Sequence, residues 1–132
     1  MDLQRLAKVK DLDIEIKLLR EELEGTRQRV MVHSARLNEA GTDQRQRDHI
    51  QDAVTSAVIL ENQISERVKE LERERCAIME FISTIQDSHI RTIAILRYID
   101  GKTWEETASY IGGGNSASGV RKALKRYCKR IT

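Results

Sequence analysis

The sequence predicts an all-α protein in which a long antiparallel helical hairpin is followed by three shorter helices. Three observations support this fold class. The 132 residues include no proline, the residue that most often interrupts a helix. Apolar residues recur at alternating spacings of three and four up to about residue 85, as they do in coiled coils. Beyond that point, glycines and capping residues divide the chain into short segments.

The first helix is predicted from a seam of apolar residues that would face a partner helix. Its positions are Val9, Leu12, Ile16, Leu19, Leu23, Thr26, Val30, His33 and Leu37. Seven of these nine residues are apolar, which is typical of the a and d positions of a coiled coil. After the seam, Gly41 is a predicted helix stop and Thr42 a predicted N-cap for the next helix.

The second helix is predicted over about residues 47–85. Its seam positions are Ile50, Val54, Ala57, Glu61, Ile64, Val68, Leu71, Arg75, Ile78, Ile82 and Ile85. Because the two helices have similar lengths and a short link, we expect them to fold back as an antiparallel hairpin. Two readings of Glu61 and Arg75 remain open: they fix the register of the seam, or they extend to solvent.

Apolar residues outside the narrow seam predict a further contact for the hairpin. Ile14, Ile59 and Leu60 widen the apolar stripe beyond what one partner helix covers. We therefore expect residues 1–85 to form a dimer or to bind another protein.

The chain after the hairpin predicts three helices with readable ends. Asp87 and Ser88 are candidate N-caps for a helix that stops at Asp100-Gly101. Thr103 and Glu106 have the spacing of a capping box, and the short helix that they begin ends at the glycines of positions 112–114. Asn115 or Ser116 caps the last helix, which continues to about Arg130. Its inner face consists of Ala117, Val120, Leu124, Tyr127 and Ile131.

A short helix, a glycine turn and a second helix with a basic outer face are typical of a helix-turn-helix, which we place at residues 86–132. Such a helix enters the major groove of duplex DNA, with its first exposed residues at the base edges and later lysines and arginines at phosphates. The candidate base-reading residues are Ser116, Ser118, Arg121 and Lys122. The candidate phosphate contacts are Lys125, Arg126 and Lys129. Thr103 and Trp104 would rest on the duplex backbone, although a core role is the favoured interpretation of Trp104.

Charge supports a polyanionic partner for this module. Residues 1–83 hold 14 Lys and Arg against 17 Asp and Glu, whereas residues 84–132 hold 9 against 4. No acidic residue follows Glu106. The alternative interpretation is that the basic face of the last helix is only solvated.

Other functional classes find little support in the sequence. No apolar run is long enough for a membrane span, and the N-terminus lacks the apolar core of a signal peptide. Cys76 and Cys128 form no disulfide framework, so we expect a cytoplasmic location. The three histidines share no metal-ligand spacing with each other or with the cysteines. We therefore expect no metal, no cofactor and no enzymatic activity.

Residues 96–108, LRYIDGKTWEETA, followed by Ile111-Gly112 and Val120-Arg121, resemble region four of bacterial sigma factors. The resemblance implies a promoter-reading helix-turn-helix that acts with bacterial RNA polymerase. A coiled-coil stretch ahead of such a module is similar to small phage and prophage sigma-like regulators. Two departures are a longer Gly-Gly-Gly-Asn turn and the lack of the sigma regions that melt DNA. The expected function is therefore auxiliary transcriptional regulation; the alternative is a coiled-coil adaptor whose last module binds protein.

Overall fold

The described part of the protein, residues 2–40 and 44–131 of a computed structural model, is helical throughout its regular structure. This confirms the predicted all-α fold class. The helices are α1 (Leu3–Ala40), α2 (Gln44–Thr84), α3 (Ser88–Ala94), α4 (Trp104–Ile111) and α5 (Ala117–Ile131). A π-helical turn, Ile95–Ile99, continues α3. The predicted stop at Gly41 and N-cap at Thr42 lie outside the described residues. Among the described helices, none is both long enough and apolar enough to cross a membrane.

Helices α1 and α2 pack against each other as the predicted hairpin. Their ion pairs show that they are antiparallel, because the partner on α2 moves backward as the position on α1 moves forward. Glu15 pairs with Arg67 at 3.1 Å, and Arg27 pairs with Glu61 at 3.3 Å. In α1, all nine predicted seam positions are buried or half-buried. The polar member Thr26 is fully buried, and its hydroxyl donates to the Glu22 carbonyl oxygen at 3.0 Å.

The predicted seam of α2 is wrong at three positions. Val54, Glu61 and Arg75 are exposed. Both charged residues thus lie outside the buried seam, and Glu61 reaches Arg27 of α1 from its exposed position. The residues that α2 turns inward are instead Ala53, one position before Val54, and Leu60, one position before Glu61; Ala53 is buried and Leu60 is half-buried.

Two charged residues complete the observed seam of α2. Arg67 and Glu74 are half-buried and continue the spacing of three and four that links Ala53 and Leu60 to Ile78. Arg67 pairs with Glu15, and Glu74 pairs with Arg5 at 3.4 Å. Their long aliphatic stems pack while their charged ends reach partners on α1. A count of apolar residues alone selects Val54 and misses this register.

The chain forms two compact units. The hairpin unit is Asp13–Glu70, and the C-terminal unit combines Met1–Leu12 with Leu71–Thr132. The C-terminal unit has one continuous apolar core, in which Ile85, Ile93 and Leu124 are fully buried. Its members are Leu6, Val9, Ile78, Ile82, Ile85, Ile90, Ile93, Ala94, Tyr98, Ala108, Val120, Leu124 and Cys128. The first turns of α1 and the end of α2 therefore belong to the same core as the helix-turn-helix.

Candidate DNA-binding surface

The first helix of the module begins and ends where the sequence predicts. The side chain of Asp87 caps α3, since its Oδ1 accepts from the backbone N–H of His89 at 2.8 Å. After the π-helical turn, the Asp100 N–H bonds the Ile95 carbonyl oxygen at 3.0 Å. Gly101 then has a φ of +70°, which ends the helix. The π-helical turn itself is not predicted from the sequence.

A capping box begins α4, as predicted. The Thr103 hydroxyl accepts from the Glu106 N–H at 3.1 Å, and Glu106 Oε1 accepts from the Thr103 N–H at 3.3 Å. The hydrogen bond from the Thr103 backbone, followed by the one involving its side chain, lowers the pKa of the Glu106 carboxyl below its usual value. Thr103 is exposed, but its hydroxyl is engaged in the capping hydrogen bond. A ligand at this position would therefore meet the ordered N-terminus of α4.

Three consecutive glycines make the turn between α4 and α5. Gly112, Gly113 and Gly114 have φ values of +70°, +64° and +79°, a conformation that side chains with a Cβ rarely adopt. Asn115 Nδ2 donates to the Gly112 carbonyl oxygen at 2.6 Å and closes the turn. Of the two predicted caps for α5, Ser116 is the one observed, because its Oγ accepts from the backbone N–H three residues later at 2.9 Å.

The inner face of α5 follows the prediction except at its end. Val120 and Leu124 are buried, and Ala117 and Tyr127 are half-buried. Ile131, which we placed on this face, is 47% exposed because it is the last helical residue and extends past the core.

Cys128 completes the inner face and was not predicted to do so. It is buried in the core of the C-terminal unit, where removal from water raises the pKa of its thiol.

Every predicted nucleic-acid contact on α5 is exposed. Ser118, Lys122, Lys125 and Lys129 recur at spacings of four, three and four and form one line, here called the basic stripe. Arg121 and Arg126 are exposed beside it. In the C-terminal unit, α5 therefore separates an apolar inner face from a basic outer face.

A cleft of about 500 Å³ joins the start of α4 to this surface. Trp104 and Glu105 line it from α4, and α5 contributes Ala117, Ser118, Arg121, Lys122 and Lys125. We call it the α4–α5 cleft. It brings the capped start of α4 beside four of the predicted contact residues, as the helix-turn-helix interpretation requires. Glu105 is an acidic member of this cleft that the sequence does not predict.

The start of α1 borders the other side of the basic stripe. A groove of about 420 Å³ is lined by Asp2, Leu3 and Gln4, and by Lys125, Cys128 and Lys129. The Asp2 side chain caps α1 by accepting from the Arg5 N–H at 2.8 Å. The cap and the apolar residues that follow are visible in the sequence, but their position beside α5 is a long-range contact that no local pattern reveals.

Trp104 is half-buried and packs on the core of the C-terminal unit, as the favoured interpretation stated. Its ring meets Tyr98 edge-on at a centroid distance of 6.3 Å. Burial raises the pKa of Tyr98 to about 12, although the charge of Arg97 opposes this shift.

No protein-family model, curated protein or solved structure matches the chain. Within residues 2–40 and 44–131, no group of three or more His, Cys, Asp or Glu side chains is placed to hold a metal ion. The site is thus described by its helices, its charge and its two clefts.

Proposed function

We propose that the protein is a sequence-specific regulator of transcription that binds duplex DNA through α4 and α5. The observation that carries the proposal is the basic stripe, an exposed line of one serine and three lysines on the second helix of a helix-turn-helix. It lies opposite the buried face of that helix and beside a capped helix start. Lysines in this arrangement neutralise phosphates and release counterions, while the first turns of the same helix enter the major groove.

The roles of the residues follow from their position along α5. Ser116, Ser118, Arg121 and Lys122 lie at the start of the helix, where side chains reach base edges. The Ser116 hydroxyl accepts one hydrogen bond as the N-cap and still has its own proton to donate.

Phosphate contacts fall to the later residues Lys125, Arg126 and Lys129, and the terminus at Thr103 rests on the duplex backbone. The carboxylate of Glu105 repels phosphate. The backbone of the duplex should therefore pass along the lysine side of the α4–α5 cleft.

The resemblance to region four of sigma factors extends this proposal to a partner. A region-four-like module would act here as an auxiliary factor with bacterial RNA polymerase, in a phage or prophage programme. Retention of purified bacterial RNA polymerase on the immobilised full-length protein tests this partner, and no retention above that of an unrelated helical protein counts against it.

The DNA-binding proposal is tested with the full-length protein, because residues of α1 and α2 belong to the core of the C-terminal unit. The probe is a labelled duplex of about 30 base pairs, roughly three turns, selected by the protein from a randomised library. Anisotropy should show salt-dependent binding. The double variant Arg121→Ala, Lys122→Ala should lose about tenfold or more of the preference for the selected over a scrambled duplex.

A matched control removes two positive charges elsewhere. Lys17→Ala, Lys69→Ala changes two exposed lysines of the hairpin unit and should leave the preference unchanged. The proposal fails when the wild-type protein ignores duplex DNA at low salt. It fails equally when the Arg121 and Lys122 variant keeps the full preference.

The hairpin unit supports a second role in self-association. Leu18, Val58 and Ile59 are 59%, 51% and 52% exposed, which leaves apolar surface on both of its helices. We propose that a second copy of the chain covers this surface, and sedimentation should show dimers whose population falls in Leu18→Glu. A wild-type monomer at high micromolar concentration would reject this role.

A further inference from the structure

Arg97 lies at the junction between the first helix of the module and the start of α4. It occupies the π-helical turn and is half-buried. Its Nη1 donates to the Lys102 carbonyl oxygen at 2.9 Å. Its guanidinium carbon lies 4.8 Å from the centroid of the Trp104 ring and 6.0 Å from that of Tyr98. One side chain therefore contacts the loop before the capping box and the first residue of α4.

Burial of Arg97 in this arrangement lowers the stability of the fold. An arginine stays charged in proteins, and burying it without a carboxylate partner costs free energy. Within the described residues, no carboxylate lies within ion-pair distance of Arg97, and its buried Nε has no hydrogen-bond partner. The faces of Trp104 and Tyr98 offset part of this cost. A buried polar group left without a partner calls for a reason outside simple packing.

The reason suggested by the contacts is the position of Trp104. Trp104 lines the α4–α5 cleft together with Arg121 and Lys125, so a displacement of its ring changes the wall beside the predicted DNA contacts. Arg97 holds that ring by placing its guanidinium over the ring face, and it holds the chain just before Thr103 by its hydrogen bond to the Lys102 carbonyl. The planar guanidinium does both at once, which an ammonium group does not.

We propose that Arg97 is a positioning residue for DNA recognition, which acts by fixing Trp104 and the start of α4 in the wall of the α4–α5 cleft. This inference rests on the proposed function. The rival assignment is a direct phosphate contact by Arg97. The geometry disfavours it, since Nε is buried and Nη1 is already bound to a carbonyl oxygen.

The first test needs no DNA. Trp104 is the only tryptophan of the chain, so its fluorescence reports its own surroundings. Arg97→Lys keeps the charge but removes the guanidinium from the face of Trp104, and it should shift the emission of the folded protein. Arg91→Lys is the matched control: Arg91 also donates to a backbone carbonyl oxygen, that of Ile85 at 3.0 Å, but it has no contact with Trp104. Its emission should equal that of the wild type at equal helicity by circular dichroism.

The second test is a double-mutant cycle in DNA affinity. With the selected duplex, Arg97→Lys should weaken binding about three- to tenfold without changing the slope of affinity against salt. In a Trp104→Phe background, the same substitution should have a much smaller effect, because the residue through which it acts has already changed. Trp104→Phe keeps an aromatic ring in the core, so the background remains folded.

Each contrary result has a distinct meaning. An unchanged emission, or an equal effect of Arg97→Lys in both backgrounds, overturns the positioning role while the proposed function stands. A salt slope reduced by about one unit identifies a phosphate contact and also overturns it. A wild-type protein that does not bind duplex DNA overturns the proposed function and, with it, this role in recognition.

Discussion

Replacing Lys125 by alanine separates phosphate contact from base recognition. Seven residues of helix separate Lys125 from Ser118, which places it about 10 Å further along the axis of α5. The major groove is about 12 Å wide, so a helix that enters it with Ser118 places Lys125 near the strand at its border. Lys125 is exposed and lines both the α4–α5 cleft and the groove at the start of α1. We therefore expect it to contact a phosphate.

The size of the effect follows from counterion release. One lost phosphate contact lowers the slope of log affinity against log salt by about 0.9. If the variant and the wild type bind equally at 1 M salt, this change in slope makes the variant bind roughly eightfold more weakly at about 0.1 M salt. Because phosphates carry no sequence information, selected and scrambled duplexes should weaken by the same factor. Anisotropy titrations of both duplexes at four or more salt concentrations measure the slope and the factor together.

The control for this experiment is Lys17→Ala, which removes the same charge from an exposed site in the hairpin unit. Its slope should match that of the wild type. The reasoning is refuted by an unchanged slope in Lys125→Ala, or by an equal change in the Lys17 variant, which would reduce the effect to net charge. A loss confined to the selected duplex would instead make Lys125 a base-reading residue.

Three further substitutions test the stability of the fold. Gly114→Ala should lower the free energy of unfolding by about 1–2 kcal/mol in urea titrations, because φ at this residue is +79°; space is no obstacle, since no atom lies within 4 Å of the added Cβ. Gly25→Ala lies inside α1, where alanine favours the helix, and should raise the free energy of unfolding by up to about 1 kcal/mol. The pKa of Tyr98 is about 12 in the folded state, against 10.0 for an ordinary tyrosine. Between these two values the unfolded chain loses this proton while the folded protein keeps it, so the free energy of unfolding should fall as pH rises from 10 towards 12. Tyr98→Phe should flatten that part of the stability curve, and an equally steep curve would contradict the assignment.

Local chemistry explains what the sequence predicted well. The caps at Asp87 and Thr103 use side chains that bond backbone groups within three residues, so their spacing is readable. The stop at Gly112 is readable because its positive φ favours glycine. The seam of α1 is readable because nearly all its members are apolar. The exposure of the basic residues of α5 follows in the same way from helical periodicity.

Long-range contacts explain what the sequence did not reveal. The alignment of α2 against α1 depends on Arg67, whose aliphatic stem packs while its charge reaches Glu15. A search for apolar residues in the sequence passes over such a residue. The placement of Leu6 in the core of the helix-turn-helix and the stacking of Arg97 on Trp104 join segments far apart in sequence or in separate helices. Such contacts depend on the folded arrangement and leave no periodic trace.

The two kinds of charged helix in this chain differ in a way that bears on function. The exposed residues of α1 and α2 mix both signs, as in the pairing of Arg29 with Glu22 on α1 and in the adjacent Glu72 and Arg73 on α2. On α5, Lys122 has Lys125 and Arg126 as its neighbours one turn on, and like charges at these spacings destabilise a helix by a few tenths of a kcal/mol per pair.

A helix selected for stability alone would intersperse acids, as the hairpin does. The described part of α5 has none, so its repulsion is uncompensated within its own helix. A polyanion that follows the basic stripe would relieve that repulsion on binding. This difference between α5 and the hairpin helices supports duplex DNA, with its regular line of phosphates, over the alternative of a merely solvated face.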